Sequence, residues 1–229
     1  MLSKLKYFTR AELTLWGCSV LLIVGSFVLF HQTDYLTLTA SLIGATSLIL
    51  NAKGNPAGQV LTIAFSLLYG YISLTCAYYG EMITYLGMTA PMAVFALITW
   101  LRNPYRGNKA QVMVNRIPRR ELLWMILPTV AVTVAFWFIL RAFHTTNLVP
   151  STVSVTTSFV AVYLTFRRSA WFPLAYAAND VVLIVLWSLA SAEDLSYLSV
   201  LICFVMFLAN DLYGFFSWRK MQKKQADPA

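Results

Sequence analysis

The chain has 229 residues, 59% of them hydrophobic and only 11% charged, with a mean hydropathy of +0.68. A soluble domain carries about 25% charged residues, so this composition excludes a soluble globular enzyme and leaves no length for a separate soluble domain beside several membrane spans. The net charge of +8 does not point to nucleic acid, because the basic residues fall in the connections between apolar segments and gather on no single folded face.

A membrane-spanning helix needs about 20 predominantly apolar residues. On that measure the sequence predicts eight spans, near 11–31, 35–52, 58–79, 82–101, 122–142, 150–166, 170–190 and 197–218. The predicted fold class is therefore all-α and polytopic. Lys4, Lys6 and Arg10 precede the first span, and Lys53 lies between the second and third. Arg102, Arg106, Lys109, Arg116, Arg119 and Arg120 lie between the fourth and fifth, and Arg167 and Arg168 between the sixth and seventh. Arg219, Lys220, Lys223 and Lys224 follow the eighth. With eight spans, 16 of the 17 basic residues share one side and only Arg141 falls opposite, among connections that carry Asp34, Glu81, Glu193 and Asp194. By the positive-inside rule both termini are cytoplasmic, and dropping any one span would break the pattern.

Other chemistry is sparse. Cys18, Cys76 and Cys203 lie within apolar stretches and have no metal or disulfide spacing. His31 and His144 fall in loops or at helix ends, where a solvated role is expected. No metal site and no cofactor is expected. The first apolar stretch is too long for a cleavable signal and lacks a small-residue cleavage site. No nucleophile–base constellation, Gly-rich phosphate loop or Walker motif occurs. Neither an enzyme nor an ATP-driven pump is expected of this chain alone, which leaves a secondary carrier or facilitator.

A shift of 118 residues brings weak self-similarity: Trp100 falls on Trp218, Tyr79 on Tyr197, Met88 on Met206, Tyr69 on Trp187, Phe95 on Tyr213 and Arg102 on Lys220. The second to fourth spans and the sixth to eighth start and end on the same sides. A three-helix unit repeats in one orientation only if a linker helix restores parity, and the fifth span does that. Parallel repeats of this kind place substrate near the midplane between them. The expected plan is a single membrane domain over 1–229 arranged as 1+(3+1+3). It has an extra N-terminal helix (11–31), a first repeat (35–101), a linker (122–142), a second repeat (150–218) and a cytoplasmic tail (219–229).

Two Asn-Asp dipeptides, Asn179-Asp180 and Asn210-Asp211, interrupt the seventh and eighth spans. A carboxylate at a span's centre costs about 2.5–3.5 kcal/mol on insertion scales, so a polar cavity between helices is expected. Asn179 lies 11 residues past Arg168, about 16 Å along a helix, near the midplane. At helical spacing Asn179, Leu183 and Trp187 share a face beside Tyr176, and Asn210, Tyr213, Gly214 and Ser217 share another. Amide, phenol and indole groups suit a flat, heteroaromatic, hydroxyl-bearing ligand. Asn179, Asn210, Tyr176, Tyr213 and Trp187 are thus candidate substrate contacts, joined from the first repeat by Gln59 and Tyr69, which lie along one span with Thr62 and Ser66. Asp180 and Asp211 are read as gating or helix–helix partners, and Pro91 as a hinge. The plainer reading of each polar residue is a hydrogen bond between helices. Tyr71, Tyr78, Tyr79 and Tyr85 read as an interfacial belt around Glu81, and Trp100 and Trp218 as interface anchors.

The stretch from Tyr176 through Asn179-Asp180 to Trp187, followed by Asn210-Asp211-Leu-Tyr213-Gly214-Phe-Phe-Ser-Trp218, resembles the PnuC family of bacterial vitamin transporters. Pro91-Met92 with Trp100, Asn103 and the basic loop resembles the same family's first repeat, and the likeness covers roughly 35–225. The resemblance implies a fold similar to the SWEET sugar transporters. It also implies facilitated diffusion of nicotinamide riboside (vitamin B3) across the bacterial inner membrane for pyridine nucleotide salvage, the substrate being trapped through phosphorylation by a cytoplasmic kinase. The family's Asn of the seventh span matches Asn179, and its Asn and Tyr of the eighth match Asn210 and Tyr213. One departure is Ala175, where many members carry Trp.

Three functions follow from these observations. The first is the nicotinamide riboside facilitator. The second is a carrier, proton-coupled or facilitated, of another vitamin or nucleoside such as thiamine. The third is a non-transporting membrane subunit that docks a partner on the loop 102–121. The expected partners are the small-molecule substrate, the lipid bilayer and, through the apolar flank of the first span, further copies of the chain, a trimer among the arrangements.

Overall fold

Each predicted span forms a helix in the computed structural model, which describes residues 7–30, 33–75, 79–145 and 147–226. The helices are α1 (Arg10–Leu29), α2 (Tyr35–Ala52), α3 (Pro56–Thr75), α4 (Tyr79–Arg102), α5 (Arg119–Ala142), α6 (Leu148–Phe166), α7 (Phe172–Glu193) and α8 (Leu198–Ala226). Lys4, Lys6, His31, Cys76 and Tyr78 lie outside the described residues.

The helix starts are written locally. Thr9 and Glu12 form a reciprocal capping box on α1: the Thr9 hydroxyl accepts from the Glu12 N–H at 3.2 Å, and the Thr9 N–H donates to Glu12 Oε2 at 2.7 Å. The Asp34 carboxylate caps α2 through the N–H groups of Leu36 and Thr37. Pro56 opens α3, where a missing N–H costs nothing. Within α4, residues Ile83–Thr89 widen into a π-type turn just before Pro91. Pro91 has no N–H for a helical bond, and the wider turn absorbs that break.

Two features depart from the predicted plan. The segment 219–229, read as a tail, is helical as far as Ala226. Its Lys and Gln residues are good helix formers, and Gln225 ties the extension down by accepting from the Val114 N–H at 2.7 Å and donating to the Val112 carbonyl at 3.1 Å. The basic loop after α4 contains a hairpin of β1 (Pro104–Tyr105) and β2 (Asn108–Val112). Arg106 and Gly107 both take positive φ at its turn.

Packing joins the two halves by matched seams. α2 lies on α8 and α4 lies on α6, while α3 packs on α2 and α7 packs on α6 and α8. α1 rests against α2 and α8, and α5 against α6. Trp100 and Trp218, read as interface anchors, are instead fully buried at 0% exposure with rings 5.3 Å apart. The opposite bundle, the hairpin residue Val112 and Met221 enclose them. The Trp100 indole donates to the Thr165 carbonyl at 3.0 Å, and that of Trp218 to the Asn51 carbonyl at 2.8 Å. Outside this core the matching continues: Lys53 pairs with Glu12, and Arg167 with Glu121. The Tyr213 hydroxyl donates to Glu12 and the Tyr163 hydroxyl to Glu121.

Candidate functional site

A cavity of 60 Å³ sits at the centre of the bundle, with walls from α2, α3, α4, α6, α7 and α8. Aromatic layers flank it at both ends. Toward the acidic end, Phe65, Tyr69, Tyr85, Phe204 and Phe207 interlock, with Tyr69 and Tyr85 centroids 4.5 Å apart and Phe65 and Phe207 5.6 Å apart. Toward the hairpin end, Phe172 stands edge-on to Trp218 at 4.8 Å, beside Trp100. Gly44 admits the Phe207 ring, which a Cβ there would strike.

The polar groups between these layers come from both halves. On one side Gln59 Nε2 donates to Asn51 Oδ1 at 2.9 Å, and Asn51 Nδ2 donates to the Thr62 hydroxyl at 3.0 Å. All three line the cavity. Gln59 is 1% exposed and is no helix cap; that role falls to Asn55, whose Oδ1 accepts from the Ala57 N–H at 2.9 Å. Opposite, Asn179 Oδ1 accepts from the hydroxyls of Thr157 at 2.8 Å and Ser158 at 3.1 Å. Its oxygen is anchored on α6, so the NH₂ end is the one that can serve a ligand. Tyr176, Asp180 and Asp211 complete this wall. Asp180 and Asp211, from adjacent helices, lie together on this wall at 4% and 5% exposure.

Of the predicted contacts, Asn179, Tyr176 and Gln59 therefore meet at one cavity, and Asn210, Tyr213, Trp187 and Tyr69 do not line it. Asn210 points the other way on α8: its Nδ2 donates to the Ser19 hydroxyl of α1 at 2.9 Å and to the Met206 carbonyl at 2.7 Å. Tyr213 lies one turn on from it, over Glu12. Trp187 lines a second pocket, of 120 Å³, with Glu81 and Glu193. Tyr69 sits within the aromatic layer, behind Tyr85. Asp180 and Asp211, read as gating or helix–helix partners, come from the packed helices α7 and α8 and also line the cavity. Pro91 is exposed on the outside of α4.

The sequence reading missed Asn51 and misplaced Tyr85. Asn51 had a signal, since Gly44, Ser47, Leu48 and Asn51 follow i, i+3, i+4, i+7 spacing and all four line the cavity. Tyr85 leaves the interfacial belt because the π-type turn carries it inward, to 8% exposure. Tyr71 and Tyr79 stay exposed, as a belt requires.

Eight apolar helices around a central cavity with polar groups from both halves are the architecture of a helical membrane transporter. Residues 34–220 match the family described as nicotinamide mononucleotide transporter, and the chain belongs to that family, which also includes PnuC. The chain is similar to the nicotinamide riboside transporter PnuC of Neisseria mucosa, 24% identical over 86% of this chain and 76% of the relative. It is similar also to that of Haemophilus influenzae, 23% identical over 89% of this chain and 88% of the relative. A crystal structure of the vitamin B3 transporter PnuC superposes with a TM-score of 0.81 at 23% identity, covering 95% of this chain and 94% of the other, so the two share a fold. The chain is a multi-pass protein of the bacterial inner membrane, and its family consists of transporters, not enzymes.

Proposed function

We propose that the protein carries nicotinamide riboside into the cytoplasm by facilitated diffusion, its two halves rocking about the central cavity. The charge of that cavity carries the reading. Asp180 and Asp211 line it, and among the described residues no Lys, Arg or His does. Nicotinamide riboside joins a positively charged pyridinium to an uncharged ribose. Its mononucleotide adds a phosphate, which would bring an anion against an acidic pair in a low-dielectric site. Of the substrates named for the family and for its relatives, the riboside is the one this cavity suits. Tyr85, Tyr176 and Phe172 offer faces to the ring cation. Asn179 and Gln59 offer amides to the ribose hydroxyls.

A space of about 60 Å³ holds only a few waters, so a nucleoside enters only as one aromatic layer parts while the other stays shut. The matched Trp100–Thr165 and Trp218–Asn51 bonds support the reading of two parallel repeats, with α1 extra and α5 as linker. Once inside, the nucleoside is held by phosphorylation, which a cytoplasmic kinase supplies, and feeds NAD salvage. The acidic pair favours one further reading, a carrier that exchanges a proton at Asp180 or Asp211 in each cycle.

Uptake of labelled nicotinamide riboside into liposomes holding only this protein, without ion gradients and with thiamine as competitor, tests both. Saturable equilibration that thiamine leaves unchanged is expected. Accumulation under an imposed proton gradient that is lost when the gradient is dissipated would favour the coupled carrier. No riboside uptake would overturn the substrate assignment.

A further inference from the structure

Resting on that reading, we infer that Asp180 and Asp211 form one anionic unit that reads the positive charge of the ring, so that the site separates a cationic nucleoside from its neutral isostere of nearly the same shape.

Three observations carry this. First, the two carboxyls come from different helices, α7 and α8, and both line a cavity in which no described basic side chain supplies a counter-charge. The acidic residues at the basic end have theirs, Glu12 from Lys53 and Glu121 from Arg167. Second, Asp180 Oδ2 is buried and has no hydrogen-bond partner among the described residues. A buried carboxylate oxygen left without a partner is costly in a protein interior and more so at mid-membrane depth, and a cation arriving beside it offsets that cost. Third, no described residue lining the cavity is cationic, and several others are polar or aromatic: Tyr85 from α4, Ser158 from α6, Tyr176 and Asn179 from α7, and Phe207 from α8. Aromatic faces add attraction for a ring cation and little for a neutral ring of equal size.

The arrangement therefore places specificity in charge. Shape alone is a poor discriminator between two ligands that differ by one hydride. An anionic wall separates them because a neutral ring leaves the negative charge of the Asp180–Asp211 unit uncompensated.

The test compares nicotinamide riboside with its reduced form, dihydronicotinamide riboside, which has the same ribose and amide, a ring altered by one added hydride, and no positive charge. Calorimetric titration of the purified full-length protein is expected to show the oxidised form binding at least about tenfold more tightly. The double variant D180N/D211N keeps size and hydrogen-bonding capacity while removing the charge, and is expected to bind the two forms equally. If that variant fails to fold, the ligand comparison on the unaltered protein still decides, and D180N alone supplies the second measurement. Equal binding of both forms by the unaltered protein overturns the inference and leaves the proposed function standing. Binding of neither form overturns the proposed function itself.

Discussion

Trp218 donates its indole N–H to the main-chain carbonyl of Asn51 at 2.8 Å, which ties the end of α8 to the end of α2. The same residue's neighbour, Ser217, donates to the Ala52 carbonyl at 2.7 Å, so two successive carbonyls of α2 are held by α8. Asn51 in turn lines the cavity through its side chain. The main chain of one residue is the latch and its side chain is part of the site. Trp218→Phe removes one of that carbonyl's two bonds and leaves the other, from the Gly54 N–H at 2.9 Å, at a cost of about 0.5–1.5 kcal/mol. The expected result is a lowered thermal unfolding midpoint in detergent, with a faster transport cycle because the hairpin end parts more readily. A variant as stable as the parent would show that the bond holds nothing.

The two acidic residues near the starts of α1 and α5 should differ in weight. Glu12 has a side chain 4% exposed, facing Lys53 at 16%, while Glu121 is 20% exposed beside Arg167 at 35%. Removing one partner of a buried pair costs about 3 kcal/mol or more, whereas a pair open to water contributes about 1 kcal/mol or less. Glu12→Gln is expected to destabilise the fold clearly and Glu121→Gln hardly at all, as read by thermal unfolding of the two purified variants side by side.

Asn179 and Asn210 should separate binding from packing. Asn179 belongs to the cavity wall and Asn210 to the seam between α8 and α1. Asn179→Ala is expected to weaken nicotinamide riboside binding roughly tenfold, the equivalent of about 1–2 kcal/mol. Asn210→Ala should lower the unfolding midpoint and leave affinity unchanged. Titration and melting curves on the same preparations check both, and a loss of affinity in Asn210→Ala would return that residue to the site.

Gly58 sets how closely α3 approaches α2. A Cβ there would run into the Asn51 amide side chain and lie 2.7 Å from its backbone nitrogen. Gly58→Ala therefore forces the helices apart, at about 1–3 kcal/mol for such overpacking, and pushes Asn51 away from Gln59. Weaker substrate binding together with lower stability is the expected outcome, read by titration and unfolding. The same substitution at Gly17, which has nothing within 4 Å, is the control.

Much of this was legible in the chain because membranes impose local rules. Apolar length and the placement of Arg and Lys predict eight helices with no reference to tertiary contacts, and Thr9, Asp34 and Pro56 mark three of the starts. The site was legible only in part, for a rotational reason. Adjacent residues on a helix point about 100° apart, so Asn210-Asp211 announces a polar interior but not which member faces it. That choice depends on Ser19, a residue of α1 distant in sequence. Trp100 and Trp218 show the same limit. Beside basic residues at a span's end a Trp reads as an interface anchor, and only the opposite bundle, closing over it, makes it core. Tyr85 escaped because a π-type turn resets helical phase, which a period of 3.6 does not anticipate.

The paired aromatic layers have a consequence for the cell's electrical economy. A pore open at both ends would let ions and protons run down the membrane voltage. Here two apolar ring clusters, Phe65–Tyr85–Phe207 and Phe172–Trp218, stand on either side of the cavity, where a continuous file of water would have to pass. A bacterium can therefore hold many copies of this protein in its inner membrane while its proton-motive force, and the ATP made from it, stays insulated from vitamin uptake.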